Sequence, residues 1–402
     1  MYDMRDKGGK VVHRRSVPFE IFFGRGPWRT CERVAGRVCV GIGCRPVRNG
    51  SAVWTEGQVL FDFGKLEIPL IAAPMAGGPS TPDLVVNVGE AGGLGFLAAG
   101  YRIPQGLDAQ IREVRARTDK PFGVNVFVPQ EGSYDPRAVE EYRSRLRETA
   151  RRYGIEPPPI RERDDDWFGE KIDLLVEYEV PVVSMTFGLA PPEAVRRLRD
   201  AGCAVVATVT DLDEARAAVD ARVDALCVQG PDAGGHRATF RVEDEPGTVP
   251  LLDLLDEITP WCPVPVIAAG GIGTGKQIAE ALAHGAVAVQ LGTIFLRTPE
   301  SGAKPAYKEA LGDPRYTHTV MTRAFSGRPA RGLANEFIET YDRSAPAAYP
   351  QVHHLTSPLR AAAAEQGNAE DMALWVGTAF RHAVPDSAAS IVRRLWKEAR
   401  AS

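Results

Sequence analysis

The chain is poor in cysteine and has no long apolar run. Six Cys in 402 residues are too few for a disulfide scaffold. Cys31, Cys39 and Cys44 show no C-x2-C pairing of the kind that binds zinc. Cys203, Cys227 and Cys262 sit beside apolar runs, as buried small hydrophobes do. No segment approaches the ~18 apolar residues of a membrane-spanning helix, and no secretory signal is visible. A soluble protein in the reducing cytoplasm, with no membrane partner, is therefore expected. With 44% hydrophobic and 25% charged residues, the composition excludes collagen, coiled coil and wholesale disorder. The length suits two or three domains at ~150 residues each, or fewer if one is a barrel.

Charge is unevenly spread. Residues 1–50 carry eleven Lys/Arg against four Asp/Glu, a balance of +7, so the remainder carries −11 of the net −4. A basic arm suggests nucleic-acid binding or a transit peptide, but its four acids and lack of an amphipathic repeat favour neither, and no nucleic-acid partner is expected. Residues 1–60 are expected to be a disordered leader. No Met lies between Met4 and Met75, which leaves room for an over-long reading frame with synthesis starting near Val53 or Val59.

From residue 66 short β-rich apolar runs alternate with stretches of helical period. The runs are Pro69–Ala73, Leu94–Ala98, Phe122–Val126, Val180–Met185, Ala204–Thr208, Ala225–Val228, Val264–Ala268 and Ala286–Leu291. Helices are expected at Thr81–Ala91, Leu107–Arg117, Asp135–Tyr153, Pro192–Ala201, Leu212–Asp220, Leu252–Glu257 and Thr274–His284. Alternation implies parallel pairing with right-handed crossovers, and continuously apolar strands imply burial on both faces. Eight such units fit an α/β fold of the (β/α)8 TIM-barrel type; a doubly wound open sheet is the alternative. Residues 130–180 exceed an ordinary loop and suggest a helix and an excursion near the barrel mouth. The layout expected is a barrel over 66–299, a smaller, mainly helical second domain over 300–372 on the substrate side, and C-terminal helices over 373–402.

Two glycine motifs mislead. Gly93-Leu-Gly95-Phe-Leu-Ala98 has the letters of a dinucleotide fingerprint, but its glycines precede a strand rather than follow one. Gly270-Gly-Ile-Gly-Thr-Gly275-Lys276-Gln277 approaches a Walker A loop, yet Gln277 stands where a magnesium-binding hydroxyl is needed. What survives is glycine-rich backbone at a strand end with a helix N-terminus beyond, an arrangement that holds phosphate. It recurs one unit later at Gln290-Leu291-Gly292-Thr293. Phosphates in barrels commonly sit between the loops after strands seven and eight. The sixth strand ends Gln229-Gly230-Pro-Asp-Ala-Gly234-Gly235-His236-Arg237, placing a histidine at the C-terminal mouth, where it can take a proton near neutral pH. Ala73-Pro74-Met75-Ala-Gly-Gly can run along a flat ring, and Asn125, inside an apolar strand, needs a polar partner.

In this order, the turn at Ala73–Met75, Phe122-Gly-Val-Asn125-Val-Phe, the Gln229–Arg237 loop, Ala268-Ala-Gly-Gly-Ile and Gln290–Thr293 resemble the nitronate monooxygenases, formerly called 2-nitropropane dioxygenases, over roughly residues 66–380. The resemblance implies a non-covalent FMN and oxidation of alkyl nitronates by O2 through a one-electron flavin semiquinone. It implies that Ala73, Pro74 and Met75 line the flavin ring, that Asn125 contacts it, and that Gln229 and Gly234 flank ring and ribityl chain. Gly271, Gln290, Leu291, Gly292 and Thr293 would bind the phosphate. His236 would deprotonate a nitroalkane or position a nitronate. Tyr307 matches a tyrosine near the substrate, and Ser326-Gly327-Arg328 a loop closing over the cofactor. Thr186 stands where some members have histidine, and His353 and Ser357 where some have tyrosine and lysine.

The substrate implied is a small nitronate such as propionate 3-nitronate, drawn by positive potential from Arg237, Arg328 or Arg331. No metal is expected, because the side chains of His353 and His354 diverge and no carboxylate cluster accompanies them. Two alternatives share the cofactor, an NAD(P)H:quinone reductase and an enoyl-ACP reductase of the same barrel type; a third is a non-catalytic flavin-binding protein. Oligomeric state is left open.

Overall fold

The computed structural model describes residues 60–129 and 132–402. The leader expected at 1–60 lies outside these residues except for Leu60, as do Cys31, Cys39 and Cys44. In chain order the strands are β1 (Leu70–Ala72), β2 (Leu94–Ala98), β3 (Gly123–Phe127), β4 (Val182–Thr186), β5 (Ala204–Val209), β6 (Ala225–Gln229), β7 (Gly235–His236), β8 (Val266–Ala269), β9 (Ala288–Leu291), β10 (Thr319–Thr322) and β11 (Ala330–Leu333). β1 to β6, β8 and β9 form a closed parallel barrel. Ile71 pairs with Leu94 on one side and with Gln290 on the other, which closes the ring. These are the eight apolar runs read from the sequence.

The helices are α1 (Pro82–Glu90), α2 (Pro104–Arg115), α3 (Pro136–Arg152), α4 (Phe168–Glu177), α5 (Pro192–Asp200), α6 (Leu212–Asp220), α7 (Leu251–Ile258), α8 (Gly275–Ala283), α9 (Pro305–Ala310), α10 (Glu336–Tyr341), α11 (Gln351–Glu365) and α12 (Ala388–Ala399). Local chemistry starts many of them: Thr81, Asp135, Asp211 and Ser387 cap N-termini with their side-chain oxygens, and proline opens α1, α2, α3, α5 and α9. Among the described residues no helix is long and apolar enough to cross a membrane.

The strands are apolar throughout because each is covered twice. Ile71, Leu94, Phe96, Val182, Val206 and Ile267 fill the barrel interior, with Phe63 packed among them. Their strand neighbours Leu70, Leu97, Val183, Val205 and Leu226 pack outward in the larger core shared with the helices. Gly123 opposes Phe96 across the β2–β3 ladder. A Cβ on Gly123 would lie 2.2 Å from the Phe96 ring, so the glycine makes room for the phenyl.

Two excursions carry a second core over the barrel. Within the first, α3 packs Tyr142 and Leu146 against Val352, Leu355 and Leu359 of α11, with Phe325 and Phe337 between. The second, after β9, is helical in α9, α10 and α11 but also holds the antiparallel hairpin of β10 and β11. The short β7 joins this hairpin, pairing His236 with Ala330 and Gly235 with Arg331. The chain then returns, and α12 packs on α8 and α1, with Ala388, Ile391, Val392 and Leu395 in the barrel's outer core. The C-terminal helix thus covers the β9–β1 seam.

Gly123→Ala should lower the chemical-denaturation stability by about 1–3 kcal/mol through overpacking against Phe96. An unchanged midpoint would show that the barrel interior yields there.

Candidate active site

At the C-terminal ends of the barrel strands lies a cavity of about 510 Å³, large enough to enclose most of a cofactor-sized ligand. Ala73, Pro74, Met75, Asn125, Thr186, Gln229, Gly234, His236, Gly271, Gln290, Leu291, Gly292, Thr293, Tyr307 and Ser326 all line it. Of the site residues read from the sequence, Arg328 is the exception. Its guanidinium turns to the carbonyl and hydroxyl oxygens of Thr239 and lies 4.2 Å over the Phe187 ring, so it acts from behind the wall. The other two cations named for an anionic substrate are braces as well. Arg237 is 1% exposed and donates to the Gln229 and Gly230 carbonyls, and Arg331 donates to the Pro231 carbonyl and the Thr319 hydroxyl.

One end of the cavity is bare backbone. Gly270 and Gly271 follow β8 at φ values of +104° and +74°, conformations that side chains rarely adopt. A Cβ on Gly271 would also lie 2.6 Å from Asp232 Cβ. Gly292 and Thr293 follow the neighbouring strand β9, and the Gly377 amide donates to the Thr293 hydroxyl at 2.9 Å. The N-terminus of α8, expected to help hold a phosphate, is already engaged. The Gln277 side chain accepts from the Gly273 and Thr274 amides, and Glu398 accepts from that of Gly275. Any anion held here meets loop backbone rather than the helix end.

Several polar side chains on the wall are committed to the protein. Asn125 Nδ2 lies within hydrogen-bond distance of the Ser184 carbonyl and the hydroxyls of Ser184 and Thr186, which meets the need of an amide buried in an apolar strand. Gln229 spends its amide on the His236 loop: Nε2 donates to the His236 carbonyl, and Oε1 accepts from Arg237 and the Ala238 amide. Tyr307 donates its hydroxyl to the Trp375 carbonyl at 2.5 Å, and burial raises its pKa. Gln290 makes one weak contact, to Cys227 Sγ at 3.4 Å.

His236 faces the cavity from β7. Its Nε2 sits 2.8 Å from the Ser326 hydroxyl, and its ring is boxed by Phe187, Tyr349 and Trp375. Gly234 permits this approach, since a Cβ there would strike the Gly377 amide at 2.3 Å. Burial, followed by the Arg328 and Arg360 charges, pushes the imidazole pKa down to about 3, so it is neutral and its ring nitrogen is available.

Of the other wall residues, His353 and Ser357 were read from the sequence and the rest carried no signal there. Tyr101 and Phe187 hold positive φ, at 65° and 76°, at strand ends, which turns their rings into the cavity. Tyr101 stacks on His353 at 3.8 Å, and Phe127 and Trp375 complete the aromatic wall. From α11 come His353, Ser357, Arg360, Ala361 and Ala364, one face at helical spacing. Among the described residues lining the cavity there is no Asp or Glu; the cations are Lys304 and Arg360.

The sequence profile of the nitronate monooxygenase family matches residues 58–398. A probable nitronate monooxygenase of Staphylococcus saprophyticus is 38% identical over 340 residues, 83% of this chain and 95% of the relative. A nitroalkane oxidase structure from Streptomyces ansochromogenes is 46% identical, with a TM-score of 0.81, covering 84% of this chain and 97% of that one. FabK from Thermotoga maritima is 29% identical with a TM-score of 0.66, covering 84% and 95%.

A neutral buried imidazole couples stability to pH. The folded chain leaves His236 unprotonated down to about pH 3, whereas the unfolded chain takes up that proton near pH ~6.5. Between those values the unfolded state binds more protons, so this contribution is intact above pH ~6.5 and lost as pH falls. The denaturation midpoint of His236→Asn should therefore fall less between about pH 7 and pH 5 than that of the parent. Parallel slopes would mean that His236 protonates freely in the folded state.

Proposed function

This chain belongs to the nitronate monooxygenase family, and from that premise we propose that it binds FMN and uses O2 to oxidise small alkyl nitronates. It is an enzyme of the flavin-dependent oxidoreductase type. The observation that carries the finer reading is one acid-free cavity joining a glycine-walled end to a neutral histidine at an aromatic wall.

The residues present fit the cofactor. The backbone at Gly270–Ile272 and Gly292–Thr293 suits a phosphate, and Ala73, Pro74 and Met75 offer a flat apolar edge to a ring. Gln290 has an amide free to meet a polar ring edge. Bound there, FMN would accept electrons from the nitronate and pass them to O2.

The chain's own part is binding, orientation and exclusion of water. Tyr101, Phe127, Phe187 and Trp375 remove water from the reacting region, which strengthens every charge interaction within it. Ser326 holds the His236 ring in place through Nε2. A neutral nitroalkane must first lose a carbon-bound proton, and His236 is placed to take it. Its depressed pKa makes it a weak acceptor, however, because a general base works best with a pKa near the working pH. A preformed nitronate needs no such transfer. The site therefore favours the nitronate over the nitroalkane.

Anaerobic titration of the purified flavoprotein should bleach the flavin with ethyl nitronate and not with NADH. Bleaching by NADH alone would overturn the reading in favour of an NAD(P)H-dependent reductase. His236→Asn should lower kcat/KM for neutral nitroethane by about 100-fold or more and for ethyl nitronate by less than about tenfold. Equal losses on both would remove His236 from proton transfer.

A further inference from the structure

We propose that Arg360 is the specificity-determining residue of the substrate pocket, donating from Nη1, the guanidinium nitrogen with no protein acceptor, to the oxygens of a planar nitronate. The inference rests on the function proposed above and identifies the residue that selects the anion.

Arg360 stands on the cavity-facing side of α11, one turn beyond Ser357 and two beyond His353. Its protein contacts are all with uncharged groups. Nε donates to the Thr356 hydroxyl at 3.2 Å; Nη2 lies 2.8 Å from the Ser357 hydroxyl and 3.2 Å from both the carbonyl and Nδ1 of His353. These contacts hold one side of the fork. Among the described residues no protein atom accepts from Nη1, and no carboxylate lies within ion-pair distance of the guanidinium. The other arginines differ in direction: Arg237, Arg328 and Arg331 donate to protein oxygens and do not line the cavity, whereas Arg360 does.

A cation enclosed without a counter-charge is costly. Its nearest titratable neighbours bring no relief, since His236 and His353 are both held neutral by burial and by the Arg360 charge itself. Tyr101 stacks on His353 as a neutral phenol, its pKa raised to about 12. The missing partner is therefore an anion that enters the cavity. A nitronate suits it: the group is planar, with its charge shared over two oxygens, and the Nη1 amino group can give those oxygens charge-assisted hydrogen bonds. A neutral nitroalkane has the same outline but no net charge, so Arg360 discriminates between two forms of one substrate. The aromatic wall takes the short alkyl tail.

The test compares Arg360→Gln and Arg360→Lys with the parent as purified flavoproteins, recording flavin content and melting temperature for each. Steady-state kinetics use ethyl nitronate and nitroethane; calorimetry uses butyrate, an unreactive anion with two planar oxygens. R360Q should raise KM for ethyl nitronate about tenfold or more with a smaller change in kcat. It should weaken butyrate binding to a similar degree and leave KM for nitroethane nearly unchanged. R360K should recover part of both losses. Equal KM changes on the two substrates, or undiminished butyrate binding by R360Q, would overturn the proposal. So would loss of flavin from both variants, which would make Arg360 a cofactor or scaffold residue. A parent that binds butyrate through Arg360 but consumes no nitronate would overturn the proposed reaction and leave the anion site standing.

Discussion

Two residues of backbone pairing, His236 with Ala330 and Gly235 with Arg331, tie the loop after β6 to the hairpin built beyond the barrel. The rest of the site depends on this stitch. Without it the loop would be a glycine-rich excursion with many conformations. With it, and with the Gln229 amide holding the His236 carbonyl, the imidazole is fixed at the cavity wall. Ser326 meets that imidazole from just ahead of β11. The loop arises from one end of a barrel strand and the hairpin from the excursion after the last strand, so the reacting region forms only when both are folded.

Charge is arranged with the same economy. No acid among the described residues lines the cavity, and two histidines are held neutral within it. Carboxylates near the mouth are turned elsewhere: Asp166 to the Tyr101 amide and Lys171, Asp164 to His354. The Asp166 contact anchors Tyr101 in its left-handed conformation, and Tyr101 in turn stacks on His353. The cavity thus presents glycine backbone, one guanidinium and apolar rings, with no carboxylate among its described lining residues.

Glycine plays two separate parts. Gly123 makes space for Phe96 inside the barrel, a packing role that would exist without any ligand. Gly270 and Gly271 hold consecutive left-handed conformations on the cavity wall, where side chains would obstruct both the turn and the approach of a ligand. The same residue type marks stability in one place and a site in the other, and the strand end distinguishes them, since barrel chemistry sits at the C-terminal face.

The amino-acid sequence by itself determined the barrel. Eight apolar runs separated by capped helical stretches admit few other arrangements, because a strand apolar on both faces must be covered on both faces. It also determined the glycine-rich strand ends and the place of His236 in the loop after β6, since glycine pairs at strand ends are legible as local chemistry. Tertiary structure alone decided which arginine faces the cavity. Arg237, Arg328 and Arg331 lie beside the motifs in sequence, yet all three turn to backbone oxygens behind the wall. Arg360, one turn beyond Ser357, arrives on a helix that lines the cavity. Side-chain direction follows from packing against distant elements, and a single sequence carries no local record of it. Tertiary and local contacts likewise engage the α8 N-terminus, where Gln277 accepts from the Gly273 and Thr274 amides and Glu398 from that of Gly275. The Glu398 contact comes from the last helix of the chain, brought there by the need to cover the final barrel seam.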